Sequence, residues 1–123
     1  QFLDEFFEPD EVSEIWLVHP DPQPRDKEEK RRLTNQNFLN IYKKYLKKEG
    51  IFHLKTDSSF LYDYSLEVLK QDPDFEVLDH TNDLYHSPLW DEHHNIITHY
   101  EKLFHEQGST INYIKAKLIK KAP

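Results

Sequence analysis

The sequence contains no cysteine and no methionine, and only two of its 123 residues are glycine. Without cysteine there is no disulfide, no thiolate zinc site, no iron–sulfur cluster and no thiol nucleophile. Glycine occurs only at Gly50 and Gly108. No three-glycine dinucleotide loop can therefore form, and neither glycine precedes the lysine of a phosphate loop. No apolar run approaches the ~18 residues that a membrane-spanning helix needs. The chain opens on Gln1 and lacks methionine altogether, so a processed N-terminus or, preferably, a longer parent protein is expected. What is present suffices for one hydrophobic core. Leu, Ile, Val and Phe supply 34 residues, a share above the ~20% below which chains remain disordered. The length allows one domain.

The net charge of −7 conceals blocks of opposite sign. Residues 1–24 carry seven acids and no lysine or arginine, whereas residues 25–50 carry nine bases against four acids. Residues 57–108 are again acidic, with twelve acids and two bases, and residues 109–123 hold four bases and no acid. A uniformly acidic domain would not point to nucleic acid. A compact basic segment inside an acidic chain can still hold phosphates locally. The plain alternative is a set of solvated helix faces, which suits Lys43, Lys44, Lys47 and Lys48 better than Arg25 to Arg32.

Ile15 to His19 form a short apolar run between acids and proline, the pattern of a strand buried on both faces. Pro20–Asp21–Pro22–Gln23–Pro24 fits neither helix nor central strand and reads as a stiff loop. Thr34 or Asn35 caps a helix carrying Phe38, Tyr42, Tyr45 and Leu46, with Gly50 as its left-handed stop. Ile51 to Lys55 give a second strand. A second helix begins at Thr56, Asp57 and Ser58, with Leu61, Tyr64 and Val68 on one face. Asp72–Pro73–Asp74 ends it, and Phe75 to Leu78 form a third strand. A polar loop over 79–92, a third helix over 95–107 (Ile96, Tyr100, Leu103) and a final strand over 110–119 complete the order. Alternating strands and helices predict an α/β layered fold with mostly parallel strands. The first strand is too apolar for a sheet edge. A partner strand from a missing N-terminal half, or self-association through that strand, is expected.

In such sheets, ligands bind beyond the carboxyl ends of the strands. Asp21 and Asp57 follow the first and second strands, and parallel neighbours would bring both to one rim. Asp57 also suits a helix cap. Asp21 sits between prolines, and a rigid loop is what a positioned carboxylate needs. The basic run Arg25–Asp26–Lys27–Glu28–Glu29–Lys30–Arg31–Arg32 follows, beside which a polyanionic substrate could lie. Thr98 and Glu101 fall at i and i+3 on one helix face. Of the eight histidines, His86, His93, His94, His99 and His105 cluster late in the chain. Adjacent His93 and His94 cannot easily face one ion and no carboxylate completes a ligand pattern, so no metal site is expected. His19 reads as a packed strand residue.

Four motifs in this order resemble the C-terminal half of the bacterial tRNA (guanine-N7-)-methyltransferases. They are an apolar strand entering Pro20–Asp21–Pro22, a basic loop ending Lys30–Arg31–Arg32–Leu33–Thr34, Leu54–Lys55–Thr56–Asp57, and Thr98–His99–Tyr100–Glu101. The resemblance covers nearly the whole chain. It implies the C-terminal half of a Rossmann-like class I methyltransferase fold, with a mostly parallel sheet and a final antiparallel strand. Residues 1–123 would then be a single partial domain. It further implies S-adenosylmethionine as methyl donor, bound mostly by an N-terminal half not in this chain, and the variable-loop guanine of tRNA as substrate, in the cytoplasm. By motif, Asp21 matches the catalytic carboxylate that also borders the donor. Arg25 matches a basic substrate contact, and Lys27, Lys30, Arg31 and Arg32 match the RNA-contacting loop. Asp57, Thr98 and Glu101 match substrate-binding positions. Three residues depart from the pattern: Gln23 replaces a frequent Trp, His19 a usual Phe, and Glu28 a basic residue or His. The alternative is a non-catalytic RNA-binding or interaction module built on the same fold.

Overall fold

Local sequence rules account for most of the element boundaries in the computed structural model, which describes residues 9–84 and 110–119. Strand β1 (Val12–Val18) runs into the proline loop and is followed by a 3-10 helix over Asp26–Arg31. The Asn35 side chain accepts the Phe38 N–H and so caps α1 (Gln36–Tyr45). Strand β2 (Leu46–Thr56) leads to α2 (Ser59–Gln71), where Ser58 is the cap and accepts the Leu61 N–H. Strands β3 (Phe75–Thr81) and β4 (Asn112–Leu118) complete the sheet. The proposed third helix over 95–107 lies outside the described residues.

The sheet order is β1-β2-β4-β3. β1 and β2 pair in parallel, with Leu17 opposite Leu54 and Val18 opposite Lys55. β4 inserts between β2 and β3 and runs antiparallel to both. Three strands therefore point one way and the last one the other, as the resemblance implies. This mixed sheet with flanking helices fits the Rossmann-like fold that the resemblance implies.

Alternation along the strands separates two faces. One carries Leu17, Phe52, Leu54, Ile114 and Ala116 and packs with Leu39, Leu61 and Leu69 of the two helices into the main core. Burying such side chains contributes about 1.5–3 kcal/mol each. The other face holds Trp16 stacked on His53, with ring centroids 3.7 Å apart. His53 Nδ1 lies 2.7 Å from the Tyr113 hydroxyl and Nε2 lies 2.9 Å from Glu14 Oε1. Buried His53 thus has a polar partner on each ring nitrogen.

Three expectations need correction. β1 is only half-buried and pairs with β2 alone among the described residues, so it is an edge here rather than a strand buried on both faces. The inner face of α2 centres on Leu61, Ser65 and Leu69, while Tyr64 and Val68 are half-buried flanks. The polar Ser65 hides this stripe from a reading of apolar periodicity; its hydroxyl donates to Thr34 Oγ1 at 2.7 Å. Gly50 does not stop α1, which ends at Tyr45. It lies within β2, where the register slips between Val12–Leu46 and Glu14–Ile51. A Cβ there would stand 2.7 Å from Leu46 Cδ1 and 2.8 Å from the Lys47 carbonyl oxygen. Close approach of backbone to side chain requires glycine at this point, and Glu49 before it takes the left-handed turn (φ 72°).

Candidate functional site

Parallel pairing of β1 and β2 sends the segments after Val18 and Thr56 off the same end of the sheet. His19 leaves β1 in the left-handed region (φ 52°), held by its N–H donating to the Lys55 carbonyl at 2.8 Å. Its Nδ1 lies 3.5 Å from Asp57 Oδ1, so the first strand's exit touches the carboxylate at the second strand's exit. Asp57 is not the cap of α2. Ser58 has that role, and the Ser58 N–H donates to Thr56 Oγ1 at 3.0 Å. The Asp57 carboxylate is left facing the rim.

Asp21 is exposed. Its Oδ1 accepts the Gln23 N–H at 3.0 Å, closing an Asx turn inside the proline loop. Gln23 is a second left-handed residue (φ 47°). Two non-glycine residues with positive φ within five positions need outside support. Arg32 supplies it. Its Nε donates to the Gln23 carbonyl at 2.9 Å and its Nη2 to the Arg25 carbonyl at 3.2 Å. The guanidinium lies 4.7 Å from the Phe60 ring centroid and 4.7 Å from that of Tyr64. Only 4% of Arg32 is exposed. Sequence reasoning grouped Arg32 with the other cations of its run; the structure turns it inward as the clasp of the Asp21 loop. The signal was faint: a planar five-donor cation suits two carbonyls and two rings in a way lysine does not.

The remaining cations differ. Arg25, Lys27, Lys30 and Arg31 are all exposed. Two of the three acids interleaved with them are tied to neighbouring groups of the protein. Glu28 Oε1 accepts the Arg25 N–H at 3.1 Å and sits 3.4 Å from Arg25 Nε. Glu29 Oε1 accepts from the Tyr64 hydroxyl at 3.2 Å. Glu28 thus offsets Arg25, while Lys27, Lys30 and Arg31 remain exposed. Asn35 fixes its end, donating through Nδ2 to the carbonyls of Glu29 and Lys30. Asp21, Asp57 and the basic segment are brought to one end of the sheet. Thr98 and Glu101 lie outside the described residues. Among the described residues no group of three His, Asp or Glu could hold a metal, and no helix is long and apolar enough to cross a membrane.

A family described as "Putative methyltransferase" matches residues 1–114. The chain belongs to this methyltransferase family. The tRNA (guanine-N(7)-)-methyltransferase of Cytophaga hutchinsonii is 46% identical over 121 residues, covering 97% of this chain and 54% of that protein. The protein of the same description from Bacteroides thetaiotaomicron is 42% identical over 118 residues, covering 96% of this chain and 46% of that protein. That from Mycoplasma mobile is 40% identical over 116 residues, covering 94% and 56%. The chain thus spans about half the length of the curated relatives it matches. The resemblance to bacterial tRNA (guanine-N7-)-methyltransferases drawn from the four motifs is borne out. Among solved structures, a geranyl diphosphate C-methyltransferase from Streptomyces coelicolor A3(2) aligns over 98% of this chain and 52% of that chain, with 16% identity and a TM-score of 0.47.

Proposed function

We propose that residues 1–123 form part of the catalytic domain of an enzyme that methylates N7 of the variable-loop guanine of tRNA, with S-adenosylmethionine as donor. The observation that carries this reading is the shared rim: a rigid carboxylate, Asp21, stands at the same strand ends as Asp57 and beside a cationic 3-10 helix.

The donor, when bound, supplies a methyl group made electrophilic by its sulfonium charge. An exposed carboxylate in a fixed loop fits a cationic neighbour, so Asp21 would border that group. Gly50 lies toward the start of β2, away from the rim, and offers no glycine-rich cradle for the rest of the donor. Guanine N7 carries an available lone pair, so no residue has to remove a proton. What remains for the chain is alignment, which in oriented reactions accounts for up to ~7–11 kcal/mol of barrier. Asp21 holds negative charge where positive charge develops on the methylated base. Asp57, an acceptor only, is suited to the N–H donors on the guanine edge. His19 steadies it. Arg25, Lys27, Lys30 and Arg31 hold phosphates, and Arg32 keeps the Asp21 loop in shape. Work on tRNA would place the protein in the cytoplasm.

The test is to incubate the full-length protein with tRNA and methyl-labelled donor, digest the RNA and identify the labelled nucleoside. Label in 7-methylguanosine is expected, and label in another nucleoside, or none, overturns the reading. Retained tRNA binding without any methyl transfer would favour the non-catalytic RNA-binding module. Residues 1–123 alone are expected to transfer nothing.

A further inference from the structure

Phe60 is an exposed apolar residue in an otherwise polar setting. It occupies the first turn of α2, three residues after Asp57, and 40% of it is exposed. Part of its ring is covered by the Arg32 guanidinium, whose other ring contact is Tyr64, one helical turn further on. The ring is thereby fixed in place and polarised by a buried cation that also shapes the Asp21 loop. The main core does not include it. One side of the ring supports the Arg32 clasp, and the rest of it stays in solvent.

Its surroundings indicate what would cover it. The clasp that holds Phe60 also holds the carbonyls of Gln23 and Arg25, so the ring adjoins the start of the basic segment. That segment presents Arg25, Lys27, Lys30 and Arg31 outward. An apolar protein partner would have to desolvate these charges. A nucleic acid satisfies both features at once: phosphates meet the cations and a base covers the ring. Unpaired RNA is recognised by this combination of a cationic track and an aromatic platform.

We propose that Phe60 is a stacking platform for an unpaired nucleobase of the tRNA next to the target guanine. This rests on the function proposed above. The aromatic ledge makes a contact independent of sequence and of salt, and sets the register of the strand relative to Asp57 and Asp21.

The test uses the full-length protein and a tRNA transcript. Binding is measured for the parent, Phe60→Ala, Phe60→Leu and Phe60→Trp across a salt series, with circular dichroism confirming that each variant folds. Phe60→Ala and Phe60→Leu are expected to weaken binding about tenfold, the loss of one stacked base. The slope of affinity against salt should stay at the parent value, since no phosphate contact is removed. Phe60→Trp should restore affinity and show indole fluorescence quenched by RNA beyond any change in the parent. Parent-like affinity in Phe60→Leu overturns the proposal. So does equal loss in Phe60→Trp, which would make the ring only a support for Arg32. If the parent itself binds no tRNA, the proposed function falls, and the platform with it.

Discussion

The two ends of the sheet treat charge in opposite ways. Where β3 begins, Lys43 reaches from α1 to Asp72 Oδ2 at 2.7 Å and to Asp74 Oδ2 at 3.1 Å. Gln36 Nε2 donates to Asp72 at 2.9 Å and the Asp74 N–H donates to the same carboxylate. Asp72 is buried, and every group in this cluster has a partner. At the far end, where β1 and β2 finish, the side chains of Asp21, Lys27, Lys30 and Arg31 face solvent. Charge at one end is buried and paired; at the other it is exposed beside a strained and clasped loop. The exposed charges are available to an external ligand in a way the buried cluster is not, and that contrast separates architecture from working surface.

Removing Lys43 gives the largest expected effect. Burial pushes the Asp72 carboxyl up, but hydrogen bonds from Lys43, Gln36 and the Asp74 N–H, with the Lys43 charge, outweigh it and hold the group below its ordinary range. For Lys43, burial acts downward, and hydrogen bonds and charge from Asp72 and Asp74 overcome it, raising its pKa. Lys43→Ala leaves a buried carboxylate without its counter-charge and should cost about 3 kcal/mol in denaturant unfolding. Its tRNA affinity, corrected for the folded fraction, should not change. The sign with pH follows from the depressed Asp72 value. Its stabilisation is complete above about pH 4 and is lost as pH falls through the folded pKa. An acid titration should therefore show a smaller stability loss below pH 4 in Lys43→Ala than in the parent.

Arg32 lies between the two regimes, buried yet serving the open rim. Arg32→Lys keeps the charge but loses the fork across Gln23 and Arg25, so a loss of about 2 kcal/mol is expected. Turnover should fall with it, because the Asp21 loop loosens. Unchanged turnover would mean that the prolines alone hold the loop.

The open cations give a smaller and different response. The double variant Lys30→Ala, Arg31→Ala should leave stability within about 0.5 kcal/mol. It should weaken tRNA binding about tenfold at moderate salt and flatten the salt dependence by roughly one unit per removed contact. Binding unchanged at every salt concentration would make the segment an ordinary solvated surface. His19→Phe, which removes the contact with Asp57, should change tRNA affinity least, by about threefold.

Much of this contrast is legible in the sequence. Pro20–Asp21–Pro22 after an apolar strand announces a rigid carboxylate, because proline restricts the backbone whatever surrounds it. Asn35 and Ser58 as caps follow from local hydrogen bonding. Features set by tertiary contact are not legible. Nothing in the order of Arg25 to Arg32 says that the last arginine turns inward, since that depends on Phe60 and Tyr64 from another helix. Gly50 reads as a helix stop by rule, and the crowding by Leu46 that makes it a strand residue is visible only in three dimensions. Asp57 fits either cap or site by sequence alone, and only the capping contact of Ser58 distinguishes the two. His19 read as a packed strand residue, yet it leaves β1 in the left-handed region and faces Asp57.

The most direct test of the working rim is Asp21→Asn in the full-length protein, with turnover and tRNA affinity measured side by side. Asparagine keeps the side-chain oxygen that accepts the Gln23 N–H, so the loop should persist while the negative charge is lost. Turnover should fall about 100-fold or more, with tRNA affinity near the parent value. Turnover like the parent's, or a collapse of affinity together with folding, would contradict the account and make Asp21 a structural residue of the loop.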